Sequence, residues 1–338
     1  MSGAPLRLPE TPAALVLRHA VRSWLAEFLP ADTSAVAVGL SGGPDSLALT
    51  AATVVEAGTR DLAVDALVVD HGLQAGSDQV AAEAAATART LGVRDVRVLP
   101  VRVGTEGGPE AAARTARYAA LESARAGCPV LLGHTLDDQA ETVLLGLARG
   151  SGARSIQGMA PYAAPWGRPL LGVRRADTRR LCADLGLVPY DDPHNASAEF
   201  TRVRLRTEVL PLLEDVLGGG VAEALARTGA QLREDSAVLD ALAAELLERA
   251  SDDTGALSVE ILATAPAALR RRALRTWLLA GGANALTGKH LHAVDALIVD
   301  WRGQGGVAVG GGTARARLVA ARERGRLTLR RHDRSPAR

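Results

Sequence analysis

Four continuous apolar runs, AVAVGL (35–40), DALVVD (65–70), VRVLPV (96–101) and CPVLLG (128–133), alternate with alanine-rich stretches of helical pattern at 47–57, 77–91, 109–126 and 138–148. Strands that are apolar along their whole length are buried on both faces, the condition of a parallel sheet covered by crossover helices. The expected fold class is α/β: a Rossmann-like parallel sheet with helices on both faces, followed by a mainly helical C-terminal domain. Ligands of such a sheet sit beyond the carboxyl ends of its strands. Helix 77–91 is expected to open at Ser77 and Asp78 and to stop at Gly92. The alternation fades after about Pro211. Residues 221–250 carry apolar positions at helical spacing, behind a Gly218-Gly219-Gly220 hinge. Helical patterns return over 258–302, and 307–331 alternates in places, which predicts a small β-hairpin element. Three regions are therefore expected: an N-terminal helical segment over 1–30, the α/β domain over 31–215, and a mainly helical domain with a small β element over 216–335.

The net charge of +1 conceals an asymmetry. Residues 254–338 hold 15 basic against 5 acidic side chains, and the remainder holds 24 against 33. A basic C-terminal third is either a surface for a polyanion or an arginine-rich solvated face. No apolar run approaches the ~20 residues of a membrane span. The N-terminus has no compact apolar segment ending in a cleavage site. Cys128 and Cys182 are too few and too isolated for a disulfide framework, so a cytoplasmic, reducing setting is expected. No segment points to an obligate protein partner.

Within the first βα turn stands Ser41-Gly42-Gly43-Pro44-Asp45-Ser46. Where a buried strand gives way to a helix, backbone N–H groups and the helix dipole can hold phosphate. The two glycines let the backbone approach an anion. Ser41 and Ser46 can donate hydroxyl hydrogen bonds, and Asp45 can hold Mg²⁺. A Walker A loop is excluded, because no lysine lies here, and no GxGxxG is present.

SGGPDS resembles the pyrophosphate loop, SGGxDS, of the ATP pyrophosphatases that release AMP and pyrophosphate. Further segments narrow the resemblance to the tRNA(Ile)-lysidine synthetase family: VDHGL (69–73), PEAAARTARYAALE (109–122), GHTLDDQAETVLLGLARGSG (133–152), then RPLL, DDPHN (191–195) and RLRTEVLP (204–211), all in that family's order. It is strong over 34–213. It continues more weakly through PAALRRRALRTWL and WRGQGG, which look like the tRNA-contacting region of the shorter members. The resemblance implies that 31–215 is the adenylation domain and 216–335 binds tRNA. It implies ATP, Mg²⁺, free L-lysine and a CAU-anticodon tRNA(Ile) as cofactor and partners, and lysidine at the wobble cytidine as product. Two segments depart from the family pattern: RVRLR (202–206) has valine where asparagine is usual, and DDPHN lacks a serine.

His134, Asp137, Asp138 and Glu141 lie on a strand exit leading into a helix, spaced to share one face. Asp45, Asp137 and Asp138 are the candidate Mg²⁺ ligands, although acids at a helix start also favour its dipole. Lysine's amine must lose a proton, which makes Asp137 the candidate base and His134 the second; Asp45, His134 and Asp137 form the catalytic set. The loop residues Ser41–Ser46 and His71, at a strand end, are assigned to ATP and pyrophosphate. Arg114, Arg117, Arg149, Arg202, Arg204 and Arg206 are candidates for phosphate or tRNA contact, with surface ion pairs as the alternative. Three other readings compete. A thiolase of the same superfamily usually needs CxxC pairs or a persulfide cysteine, and no CxxC occurs here. The basic C-terminal third argues against a small-molecule amide synthetase. The intact Ser, Asp and Ser of the loop argue against a non-catalytic binding module.

Overall fold

In the computed structural model, residues 6–74, 76–106, 108–150, 152–192, 200–312 and 316–333 are described. They fall into two compact units, Met1–Leu145 with Gly158–Gly229, and Gly146–Gln157 with Ala230–Arg338.

The first unit opens with α1 (Pro12–Phe28), capped by the Thr11 side chain, which accepts from the Ala14 N–H. A βα alternation follows: β1 (Ala35–Leu40), α2 (Pro44–Gly58), β2 (Ala63–Asp70), α3 (Ser77–Thr90), β3 (Asp95–Pro100), α4 (Pro109–Ala124), β4 (Val130–Leu132) and α5 (Leu136–Ala148). Two short strands, β5 (Tyr162–Ala163) and β6 (Trp166–Gly167), precede α6 (Arg175–Asp184). The sheet order is β3-β2-β1-β4-β6-β5, parallel except for β5 against β6. All six residues of β1 are buried, and side chains leave it on both faces. Val36 and Val38 join the core that takes in Leu17, Leu25, Leu47 and Leu181 of the helices, whereas Ala37 packs with Leu67, Leu121 and Leu132 on the other face. This two-sided burial is why β1, β2 and β4 read as unbroken apolar runs; β3 lies at the sheet edge and has no buried residue, so the same expectation does not hold there. Helix α3 starts one residue beyond Gly76, whose φ of 81° makes the turn.

Glu56 on α2 is fully buried and bound by two arginines of α1, Arg18 Nε at 2.6 Å and Arg22 Nε at 2.7 Å. Burial alone would raise its pKa, but the hydrogen bonds and charges of Arg22 and Arg18 outweigh it and hold the carboxyl below its ordinary range. The clamp therefore stabilises the fold fully above the ordinary glutamate range and loses that contribution as pH falls through the depressed value. Glu56→Gln is expected to cost about 1.5–3 kcal/mol near neutrality. Denaturant midpoints should show this gap closing in acid.

After α7 (Thr201–Arg204), a π-helical turn (Leu205–Val209) and α8 (Leu210–Leu217), one long helix, α9, runs from Val221 to Ala250. The second unit contains β7 (Leu257–Ser258), α10 (Val259–Thr264), α11 (Ala267–Ala280), α12 (Gly288–Val299), β8 (Val307–Gly312), β9 (Ala316–Glu323) and β10 (Arg326–Asp333). Its strands form one antiparallel sheet, β7-β10-β9-β8, larger than the hairpin expected. β7 has only two residues, too short for a pattern. β8 is glycine-rich where it runs close to other backbone: a Cβ at Gly310 would lie 2.0 Å from the Asn284 carbonyl oxygen. Leu262, Leu274, Leu278, Leu297, Leu318 and Leu327 build this unit's core. Among the described residues, no helix is long and apolar enough to cross a membrane.

Candidate active site

The chain leaves β1 towards β2 and β3 on one side and returns to β4 on the other, so β1 and β4 flank the point where the strand order reverses. Crevices in open α/β sheets lie at that point. Three segments meet there: residues 41–46 after β1, His71 after β2, and Gly133-His134 after β4. A cleft of about 400 Å³ is lined by Ser41, Asp45, Arg117, His134, Asp138 and Arg175, among others. A second, of about 340 Å³, shares Ser41, Gly43 and Arg117 and reaches His71 and Asp192.

The loop is held from within. Gly42 has φ +79°, a conformation that L side chains rarely adopt, and its carbonyl accepts from the Tyr190 N–H at 3.0 Å. Ser46 Oγ donates to the Gly43 carbonyl at 3.0 Å, accepts from the Ser41 N–H at 3.1 Å and lies 3.1 Å from Ser41 Oγ. Gly43 caps α2 with no side chain, and Pro44 follows as the first helical residue, leaving the helix N-terminus open to an anion. Opposite, Gly133 passes so close that a Cβ there would lie 3.0 Å from the Asp45 carbonyl carbon and oxygen.

The acids behave unlike one another. Asp45 accepts a hydrogen bond from Thr178 Oγ1 and pairs with Arg175 at 3.3 Å. Burial raises its pKa, and the nearby charge of Asp138 adds to this. Asp138 caps α5, accepting from the Thr135 N–H and hydroxyl at 2.8 Å each, and pairs with Arg175 at 2.7 Å. Burial works against its ionisation, but Arg175 and the Thr135 donors prevail and hold it below the ordinary aspartate range. Glu141, fully buried, pairs with Arg206 at 2.8 Å, and burial raises its pKa. Asp137 turns elsewhere: it accepts from the Arg175 backbone N–H at 2.8 Å and pairs with Arg174 at 3.1 Å.

His134 is pushed down to about 3 by burial, with the charges of Arg117, Arg168 and Arg114 adding to it against Asp138. It is neutral at physiological pH, and its Nδ1 is buried without a partner among the described residues. His71 is also lowered, by burial and then by Arg117, and its Nδ1 is likewise unpartnered. Arg117 lines both clefts and has no hydrogen-bond or ion-pair partner among the described residues. Burial pulls even its guanidinium pKa down.

The structure therefore brings together the loop, His71, His134, Asp138, Arg117 and Arg206. Arg114 stacks over Tyr118 at 5.0 Å, Arg204 pairs with Glu208 one turn on, and Arg202 is engaged with a partner. Arg149 belongs to the second unit. Of DDPHN, Asp191 and Asp192 are placed, while Pro193, His194 and Asn195 lie outside the described residues. Neither Arg175 nor Thr178 stands in a motif that marks it in the sequence. The signal available was the acid-rich start of α5, which demands a counter-charge from elsewhere.

Among the described residues no group of three or more His, Cys, Asp or Glu side chains forms a ready-made metal site. Mg²⁺ is usually held by one or two carboxylates together with substrate phosphates. Asp45 and Asp138, hard oxygen donors brought to one cleft, fit that chemistry; Asp137 is absent from the cleft lining.

A family model described as a PP-loop domain matches residues 17–213, and one described as a TilS substrate binding domain matches 257–328. The tRNA(Ile)-lysidine synthase of Nocardia farcinica is 78% identical over 96% of this chain and 100% of its own length. That of Rhodococcus erythropolis is 66% identical, over 97% and 98%, and that of Mycobacterium tuberculosis 61%, over 87% and 90%. Among solved structures, the U34-tRNA thiolase NcsA from Methanococcus maripaludis with its [4Fe-4S] cluster superimposes with a TM-score of 0.53, covering 66% of this chain and 80% of that one; at 18% identity it speaks to the fold alone. With a PP-loop domain over most of the first unit and identities this high along whole relatives, the chain belongs to the tRNA(Ile)-lysidine synthase family.

Proposed function

We propose that this chain is an ATP-dependent ligase that forms lysidine at the wobble cytidine, C34, of tRNA(Ile). The observation that carries the reading is its identity along the full length of relatives named for that activity. The finer steps are as follows. ATP lies with its β- and γ-phosphates against the 41–46 loop and the open N-terminus of α2. The C2 carbonyl oxygen of C34, in a CAU anticodon, attacks the α-phosphorus and pyrophosphate leaves. The ε-amine of free lysine then attacks C2, and AMP departs.

The chain's own groups divide the work by environment. Preorganised N–H groups of the loop and the half-buried Arg117 guanidinium meet charge that develops on phosphate, in a setting where such contacts are strong. Asp45 and Asp138 would hold Mg²⁺, which when bound neutralises the triphosphate. Neutral His134 is suited to donate or accept one hydrogen bond, not to take lysine's proton. Asp137, held by an N–H of α6 and by Arg174, acts as a positioning residue for that helix. The basic segment beyond residue 254 is assigned to the tRNA body.

Arg117→Ala is expected to raise KM for ATP about 10–100-fold, the value of a charge-assisted hydrogen bond. Because Arg117 lacks a protein partner, thermal melting should show no loss of stability, a combination that separates ligand contact from structural support. The function itself is tested with ATP, Mg²⁺, labelled lysine and an unmodified CAU-anticodon tRNA(Ile). Label retained in RNA, dependent on ATP and on C34, is the expected result; ATP cleavage without label transfer would redirect the assignment to another nucleophile.

A further inference from the structure

Helix α6 places the Arg175 guanidinium among three carboxylates from two other helices. It lies 3.3 Å from Asp45, 2.7 Å from Asp138 and 3.6 Å from Glu141, with its side chain only 16% exposed. Arg206 takes Glu141 from a further element at 2.8 Å, and the Asp137 carboxylate fixes the Arg175 backbone. The three carboxylates meet different nitrogens of one guanidinium, and two of them, Asp45 and Asp138, are the pair whose chemistry fits Mg²⁺. Facing the same cleft, His134 Nδ1 is buried with no partner among the described residues.

We propose that Arg175 is a built-in cation, which gathers Asp45, Asp138 and Glu141 and keeps a divalent ion out until a triphosphate arrives. The proposal rests on the ATP reading above. A guanidinium cannot relieve crowding by losing its proton. An ion entering alone would leave Arg175 buried beside a dication and stripped of its partners, which is strongly unfavourable. Phosphate oxygens supply Arg175 with new anionic partners of fitting geometry. Metal and nucleotide then enter together, the phosphates taking up Arg175 while the carboxylates exchange one cation for another.

The test is Mn²⁺ binding to the purified full chain, followed by the loss of the free-ion EPR signal, with neither tRNA nor lysine present. Wild type is expected to bind Mn²⁺ weakly alone and tightly with an ATP analogue whose α–β bridge cannot be cleaved. Arg175→Gln is expected to bind Mn²⁺ alone at least about tenfold more tightly than wild type, since the repelling charge is gone. An R175Q protein that folds, by circular dichroism, and binds Mn²⁺ no more tightly than wild type overturns the proposal. If R175Q does not fold, wild type decides: tight Mn²⁺ binding without nucleotide overturns it, and signal loss with the analogue beyond that of Mn²⁺ and analogue without protein upholds it. None of these readings uses lysidine formation, so a failure here and a failure of the assigned activity are told apart.

Discussion

Asp45→Asn and Asp138→Asn should each lower the rate of tRNA-dependent pyrophosphate release about 10²–10³-fold, or roughly 3–4 kcal/mol of transition-state stabilisation. Both side chains line the cleft, and both meet Arg175. Asp137→Asn is expected to lose less than about tenfold, because its carboxylate is spent on the Arg175 backbone N–H and on Arg174. Single-turnover measurements with radiolabelled ATP give the ranking directly. A D137N protein as impaired as D138N would return the central role to Asp137.

Gly133→Ala is the second large effect. The added Cβ meets the backbone of Asp45 and Ser46 at 3.0–3.1 Å, at the first turn of α2, where no flexible side chain can yield. The loop must shift by a few tenths of an ångström against the strand that ends at Leu132. Displacements of about an ångström can cost 10²-fold in rate, so a loss of about 10–100-fold in kcat/KM is expected. Melting temperature should change little by comparison, since the buried surface is retained. A G133A enzyme with unaltered kcat/KM would show that the loop does not need its present seat.

The sheet was legible because β1, β2 and β4 are buried on both faces: β1 spans Ala35–Leu40 as read, and β2, β4 and the edge strand β3 differ only at their ends. The position of the loop followed from the same pattern. What stayed hidden was which of two adjacent acids faces the cleft. Asp137 and Asp138 differ by about 100° around a helix, and the Thr135 cap, invisible in a periodicity, turns Asp138 inward. In the sequence Arg206 is one of three similar arginines, and only contact across the fold distinguishes it from Arg204, which pairs locally with Glu208. The C-terminal sheet was under-read because β8 is built of glycines that fit beside other backbone and carry no alternation.

The carboxylates of Asp45, Asp138 and Glu141 all precede their counter-charges in the chain, and Asp45 is separated from Arg175 by 130 residues. During synthesis, strands β1 to β4 can pair while these acids still repel one another, with no guanidinium available to them. Closing so long a loop carries an entropic penalty that must be met before the ion pairs reward it. Cleft assembly is accordingly expected to come late in folding, when α6 and the segment through Arg206 bring their guanidinium groups to acids already in place. In native-state hydrogen exchange, amides of α6 should open at lower free energy than those of β1, so that the chemistry is lost before the fold is.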